Sequence, residues 1–169
     1  MKIINDYVRL VLFCFGLLVG IQVPAFIDQY TKRVDAKLIE ASQLLVGFQH
    51  TADRYFEGDL SKLVEHYRHS TDAVFKQDAD NIQLIFDRVT TLQHELTILE
   101  KNSVAAAIHI IISPALDILH ETIDQYTYVI ILNPLALLWG IIVALIISSV
   151  CESLLVILVK GLRKLRFVL

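Results

Sequence analysis

Residues 128–159 read YVIILNPLALLWGIIVALIISSVCESLLVILV, 32 residues in which Glu152 alone is charged. About 20 apolar residues suffice to cross a bilayer as a helix. The stretch reads as a transmembrane helix, long enough to cross with a tilt or to leave the membrane at one end. Tyr126, Tyr128 and Trp139 lie toward its start, where interfacial aromatic rings are expected. Pro134 falls early in the span and is expected to kink its outer turn.

A second apolar run sits at the other end of the chain. Leu10–Ile21 reads LVLFCFGLLVGI, and the span is placed at Tyr7–Ile27. So short a core also fits a signal peptide, and Val23-Pro24-Ala25 resembles a cleavage site. The helical pattern continues past residue 26 without a break, so an uncleaved anchor is expected. The organisation is then residues 1–27 as the N-terminal end and first span, 28–127 as a middle domain, 128–159 as the second span and 160–169 as a tail.

Charge orients this layout. Of 18 acidic residues, 16 lie between Asp28 and Asp124, against nine of the 15 Lys and Arg, so the middle carries a net −7. Lys2 and Arg9 flank the first span, and Lys160, Arg163, Lys164 and Arg166 follow the second. The positive-inside rule puts both termini in the cytoplasm and the acidic middle on the opposite face, the periplasm if the host is a Gram-negative bacterium. The tail mixes basic and apolar residues, which suits an anionic lipid surface or a simple stop-transfer anchor. Basic residues beside spans, rather than on a basic soluble face, exclude nucleic acid as a partner. Cys14 and Cys151 both lie within spans, so no disulfide framework or Cys-based metal site is expected in the middle domain.

Two charges inside the spans need an account, because ionised groups in lipid are costly. At 1.5 Å per residue, Arg9 lies about 25 Å below Phe26 and Glu152 about 27 Å below Pro134. An Arg9–Glu152 pair is one expectation; independent snorkelling of each side chain to the headgroups is the other.

The middle domain is poor in helix breakers, with Gly47, Gly58 and Pro114 its only Gly and Pro residues. Val34, Leu38, Ala41, Leu45, Phe48, Ala52 and Tyr55 are spaced alternately by 4 and 3. Ile82, Ile85, Val89, Leu92, Leu96 and Leu99 alternate by 3 and 4. Both are seams that pack helix on helix. The first helix should run to about Phe56, with a turn at Glu57-Gly58-Asp59. A second starts near Leu60, with Leu60, Leu63, Val64 and Tyr67 as its apolar face. A restart is placed at Ser70-Thr71-Asp72 and a helix follows to about Lys101. Asn102-Ser103 should cap a last helix, Val104 to Tyr126, kinked at Pro114. Its apolar start, VAAAIHIII, is expected to form core, with docking on membrane or partner as the alternative. The fold class is all-α: two transmembrane helices flanking an antiparallel extracytoplasmic helical bundle, or a bent helical hairpin.

Chemistry is sparse in this pattern. His66 and His69, with Glu65 and Asp72 nearby, are the weak candidates for a metal site. Solvated or capping histidines explain them more simply, and no cofactor is called for. The chain has no nucleophile elbow, P-loop or Gly-rich phosphate loop.

The stretch Gly20-Ile21-Gln22-Val23-Pro24-Ala25-Phe26-Ile27-Asp28-Gln29-Tyr30, followed by Arg33, resembles a family of small bacterial two-span membrane proteins catalogued only as a domain of unknown function. Its pattern is Gln-x-Pro-x-Phe at the end of the first span, then Gln-Tyr and an Arg. His66-Tyr67-Arg68-His69-Ser70-Thr71-Asp72-Ala73-Val74-Phe75 resembles its central motif, His-x-x-x-Ser-x-Asp-x-x-Phe. Ile82 and Arg88 fit as well. Where Asp-Pro is usual, this chain has Asp72-Ala73. The resemblance implies the two-span topology and no particular activity.

Four functions are weighed. The first is a non-enzymatic membrane scaffold or accessory subunit, binding a membrane-protein partner or copies of itself. The second is an extracytoplasmic sensory module acting through a separate output partner. An oligomeric channel or transporter component, with Glu152, Ser148 and Ser149 facing a pore, is the third. A metal-dependent enzyme is the last and least supported. Leu44, Phe56, Phe86, Ile98 and Ile112 stand off the seams and hint at contacts beyond a monomer.

Overall fold

The computed structural model describes the backbone of residues 2–128 and 134–165, and side chains within 7–128 and 134–153. All regular elements among them are α-helices: α1 (Lys2–Tyr55), α2 (Leu60–Arg68), α3 (Ala73–Leu99), α4 (Ser103–Ile112), α5 (Leu116–Asp124) and α6 (Pro134–Leu165). They fall into two compact units, Met1–Asp28 with Tyr126–Leu169, and Gln29–Gln125. Among the described residues, two helices are long and apolar enough to cross a membrane, one within Tyr7–Tyr55 and one at Pro134–Ser153.

In the first unit, α1 and α6 meet through small residues. A Cβ on Gly20 would fall 2.7 Å from the Cα of Gly140, and one on Gly16 would fall 2.8 Å from the Cα of Ala144. Only glycine allows so close an approach, the small-x-x-x-small device of membrane helix pairs. Ala136, Gly140, Ala144 and Ser148, each four apart, are all buried on that face of α6. Phe15, Leu18, Leu138 and Ile146 point outward and are exposed, as side chains facing lipid would be. Pro24 lies inside α1, which continues through it. Beside it, the Tyr126 hydroxyl donates to Gln22 Oε1 at 2.7 Å, and the Phe26 and Tyr126 rings pack 5.3 Å apart. Pro134 is the first described residue of α6, where a missing N–H costs a helix nothing, and the turn it was expected to kink, residues 129–133, lies outside the described residues.

The second unit is built on the two seams. Val34, Ala41, Leu45 and Ala52 of α1 are buried, as are Ile82, Val89, Leu92 and Leu99 of α3. Leu38, Phe48, Ile85 and Leu96 are half-buried, and only Tyr55, at the end of α1, is exposed. Leu60, Leu63 and Val64 bury the inner face of α2.

The breaks follow local chemistry. Glu57 (φ 58°) and Gly58 (φ 82°) take the left-handed conformation that ends α1. Asp59 then caps α2 by accepting the Ser61 and Lys62 N–H groups. Asp72 caps α3 through the Val74 N–H, although no proline follows it, and Ser70 Oγ accepts the Asp72 N–H. Asn102 caps α4 through the Ala105 N–H.

The segment expected as one kinked helix from Val104 to Tyr126 is two helices, α4 and α5, bent by 103°. Pro114 offers no N–H and disfavours helical backbone at Ser113, which adopts φ −147°, ψ 56°. The next N–H, of Ala115, donates to the Tyr30 hydroxyl at 2.9 Å. A hydroxyl on another helix has replaced the helical carbonyl, so the kink becomes a corner. The core expectation for this segment also holds only in part. Ala106 and Ile110 are buried, whereas Val104, Ile108, Ile111 and Ile112 are exposed.

Candidate functional site

The second unit contains one buried polar cluster that joins four elements. Tyr30, fully buried on α1, donates its hydroxyl to Glu95 Oε1 on α3 at 2.7 Å. The other carboxylate oxygen, Oε2, lies 2.9 Å from His109 Nε2 on α4. The Tyr30 oxygen in turn accepts the Ala115 N–H at the entry to α5. Burial, and then the hydrogen bond to Glu95, push the Tyr30 phenol well above its ordinary pKa, so it stays a neutral donor. A buried carboxylate needs such partners, because losing one leaves a desolvated charge short of donors. Both Glu95 oxygens are engaged in ties between helices.

Further ion pairs tie α5 to α1 and α3. Glu121 on α5 bonds Lys37 Nζ at 2.8 Å and lies 3.5 Å from Arg33 Nη1. Arg33 Nη2 also donates to Gln125 Oε1 at 3.1 Å. The bond from Lys37, with the nearby positive charges, holds the Glu121 carboxyl below its usual range. Asp117 meets Arg88 at 3.0 Å. Partial burial pushes the Asp117 carboxyl up, but its bonds to Arg88 and the Ile118 N–H outweigh this and hold it low.

In the first unit, Arg9 Nη2 lies 3.4 Å from Glu152 Oε2, both side chains largely open to the surroundings. A cleft of about 290 Å³ beside them is lined by Arg9, Leu10, Phe13, Leu145 and Ser148. Ser148 Oγ is buried with no hydrogen-bond partner among the described residues.

The two histidines weighed for metal have other contacts in this structure. His69 Nε2 sits 2.6 Å from Glu65, while the His66 ring packs against Phe56 and Tyr67. Among the described residues, no three His, Cys, Asp or Glu gather to hold a metal ion. The basic tail side chains Lys160, Arg163, Lys164 and Arg166 lie outside the described residues. Of the apolar residues off the seams, Leu44 and Ile112 are exposed, and Phe56, Phe86 and Ile98 are half-buried.

Sequence reasoning missed the Tyr30–Glu95–His109 cluster. Glu95 falls between Leu92 and Leu99 on the buried side of α3, and that register was the available signal. It also missed the small-residue crossing, which Gly16-x-x-x-Gly20 and Gly140-x-x-x-Ala144 spell out. Residues that carry the family resemblance recur among these contacts: Gln22 and Phe26 against Tyr126, Tyr30 on Glu95, Arg33 on Glu121 and Arg88 on Asp117.

A family model described as "Protein of unknown function (DUF2937)" matches residues 4–164. No curated protein and no solved structure matches the chain.

Proposed function

We propose that this chain, which belongs to the DUF2937 family of proteins of unknown function, is a non-enzymatic membrane scaffold or accessory subunit. It binds a membrane-protein partner or further copies of itself through its helical domain and spans. In this reading both termini face the cytoplasm of a bacterium, and residues 28–127 form an antiparallel helical bundle in the periplasm. The charge asymmetry along the sequence supports that orientation.

One observation carries the reading. The helical unit keeps large aliphatic side chains uncovered beyond its seams: Ile39, Leu44 (59% exposed) and Val46 on α1, and Leu84 (70% exposed) on α3. Ile39 and Val46, seven residues apart, share one face of α1, and we read these exposed aliphatic side chains as the places where another molecule sits. The polar groups, by contrast, are used in tying the helices together.

A photo-cross-linking residue at Leu44, in the full chain in its native membrane, tests this. A discrete adduct with one membrane protein or a second copy supports the scaffold. Labelling by lipid or water alone contradicts it.

A second reading, a channel or transporter component, is favoured by Ser148, whose buried hydroxyl lacks a partner among the described residues beside the Arg9 cleft. Ion flux in liposomes that Glu152→Gln abolishes would support it.

A further inference from the structure

We infer that the corner between α4 and α5 inserts its apolar tip into the hydrocarbon edge of a lipid bilayer. From Ser103 to Leu116 the chain carries no Asp, Glu, Lys or Arg. Its one titratable side chain, His109, turns inward to Glu95. The outward side chains are Val104, Ile108, Ile111 (80% exposed), Ile112 (75%) and Leu116.

Three observations select lipid as the occupant. First, α4 and the start of α5 contain a stretch as long and apolar as a membrane span requires, yet the two helices are bent by 103°. Neither can cross alone, since ten residues of helix reach only about 15 Å against about 30 Å of hydrocarbon. A shallow dip is the geometry left to them. Second, the N–H groups at the break itself, from Ser113 to Ala115, are each engaged or absent. Backbone in lipid must satisfy its polar groups from within the protein. Here the Ser113 N–H bonds the His109 carbonyl, Pro114 has no N–H, and the Ala115 N–H bonds the Tyr30 hydroxyl. Third, the tip is aliphatic apart from the exposed Ser113, and it carries no Phe, Tyr or Trp. Protein-binding patches are enriched in Tyr, Trp and Arg with polar groups around them. The charged Arg88–Asp117 pair begins only where the tip ends.

The test uses the full chain in liposomes, with Cys14→Ala and Cys151→Ala as background. An environment-sensitive fluorophore is placed at Ile111→Cys, at Ile112→Cys or, as a control, at Leu84→Cys. The first two positions are exposed, so these substitutions remove no core packing. At residues 111 and 112, emission should shift to the blue, iodide quenching should be lost, and lipids with doxyl groups on their acyl chains should quench strongly. At Leu84 doxyl lipids should have little effect. Equal iodide quenching at all three positions would overturn the inference. Protection from both iodide and doxyl lipid at 111 and 112, with cross-links between copies, would overturn it in favour of a second copy.

Discussion

Tyr30 and Glu95 are 65 residues apart in sequence, and a 2.7 Å hydrogen bond joins their side chains in the interior of the helical unit. The phenol that donates this bond also accepts the Ala115 N–H, so one oxygen ties α1 to α3 and to the corner that starts α5. The helical unit is thereby specified by a polar lock as well as by its seams.

Tyr30→Phe keeps the ring and removes the oxygen. It leaves one Glu95 oxygen without its donor and the Ala115 N–H without its acceptor. Each such loss costs about 1–3 kcal/mol. Thermal unfolding of the purified full chain should show a clear fall in Tm. Glu95→Leu combined with His109→Leu should cost less than the sum of the single changes, because the two residues share one network.

Gly20→Ala places a methyl 2.7 Å from the Gly140 Cα and 2.8 Å from the Trp139 carbonyl oxygen. Overpacking of this kind costs about 1–3 kcal/mol. Gly47 faces open space, with nothing within 4 Å of an added Cβ. Gly47→Ala should therefore be stabilising, by up to about 1 kcal/mol from helix propensity. Melting of the two variants in one detergent checks the contrast in sign.

Asp117 and Glu121 both have carboxyl pKa values held below the usual range. Carboxyls lowered in this way stabilise the fold fully above their unfolded values, about pH 4. That contribution is lost as pH falls through the lower folded values. The Tm should thus decline on acidification below about pH 4. Lys37→Met removes the main cause of the Glu121 shift and should flatten part of this decline.

How much of this was legible in the sequence depends on range. The ends of α1, α2 and α3 rest on Glu57-Gly58-Asp59, Asp72 and Asn102, whose side chains and backbones act within a few residues. The seams were legible because their period is local. The α4–α5 corner was not, because Pro114 alone fits a kink and the Tyr30 hydroxyl that completes the corner lies 85 residues away from Ala115. The ties of Glu95 were hidden for the same reason: its partners come from α1 and α4.

Arg9 and Glu152, 3.4 Å apart, come from opposite ends of the sequence. Arg9→Glu or Glu152→Arg alone sets like charges together in the span pair. The double reversal restores opposite charges and should recover the membrane yield and Tm lost in either single variant. A double variant as impaired as the singles would show that each charge reaches the headgroups independently.

Native mass spectrometry of the full chain, extracted with its surrounding lipid in polymer nanodiscs, tests the scaffold reading most directly. The account predicts a complex of fixed stoichiometry, with a second copy or one partner protein, that Leu44→Glu dissociates while leaving the helical content unchanged. A chain found only as a monomer, in the wild type as in Leu44→Glu, would contradict it.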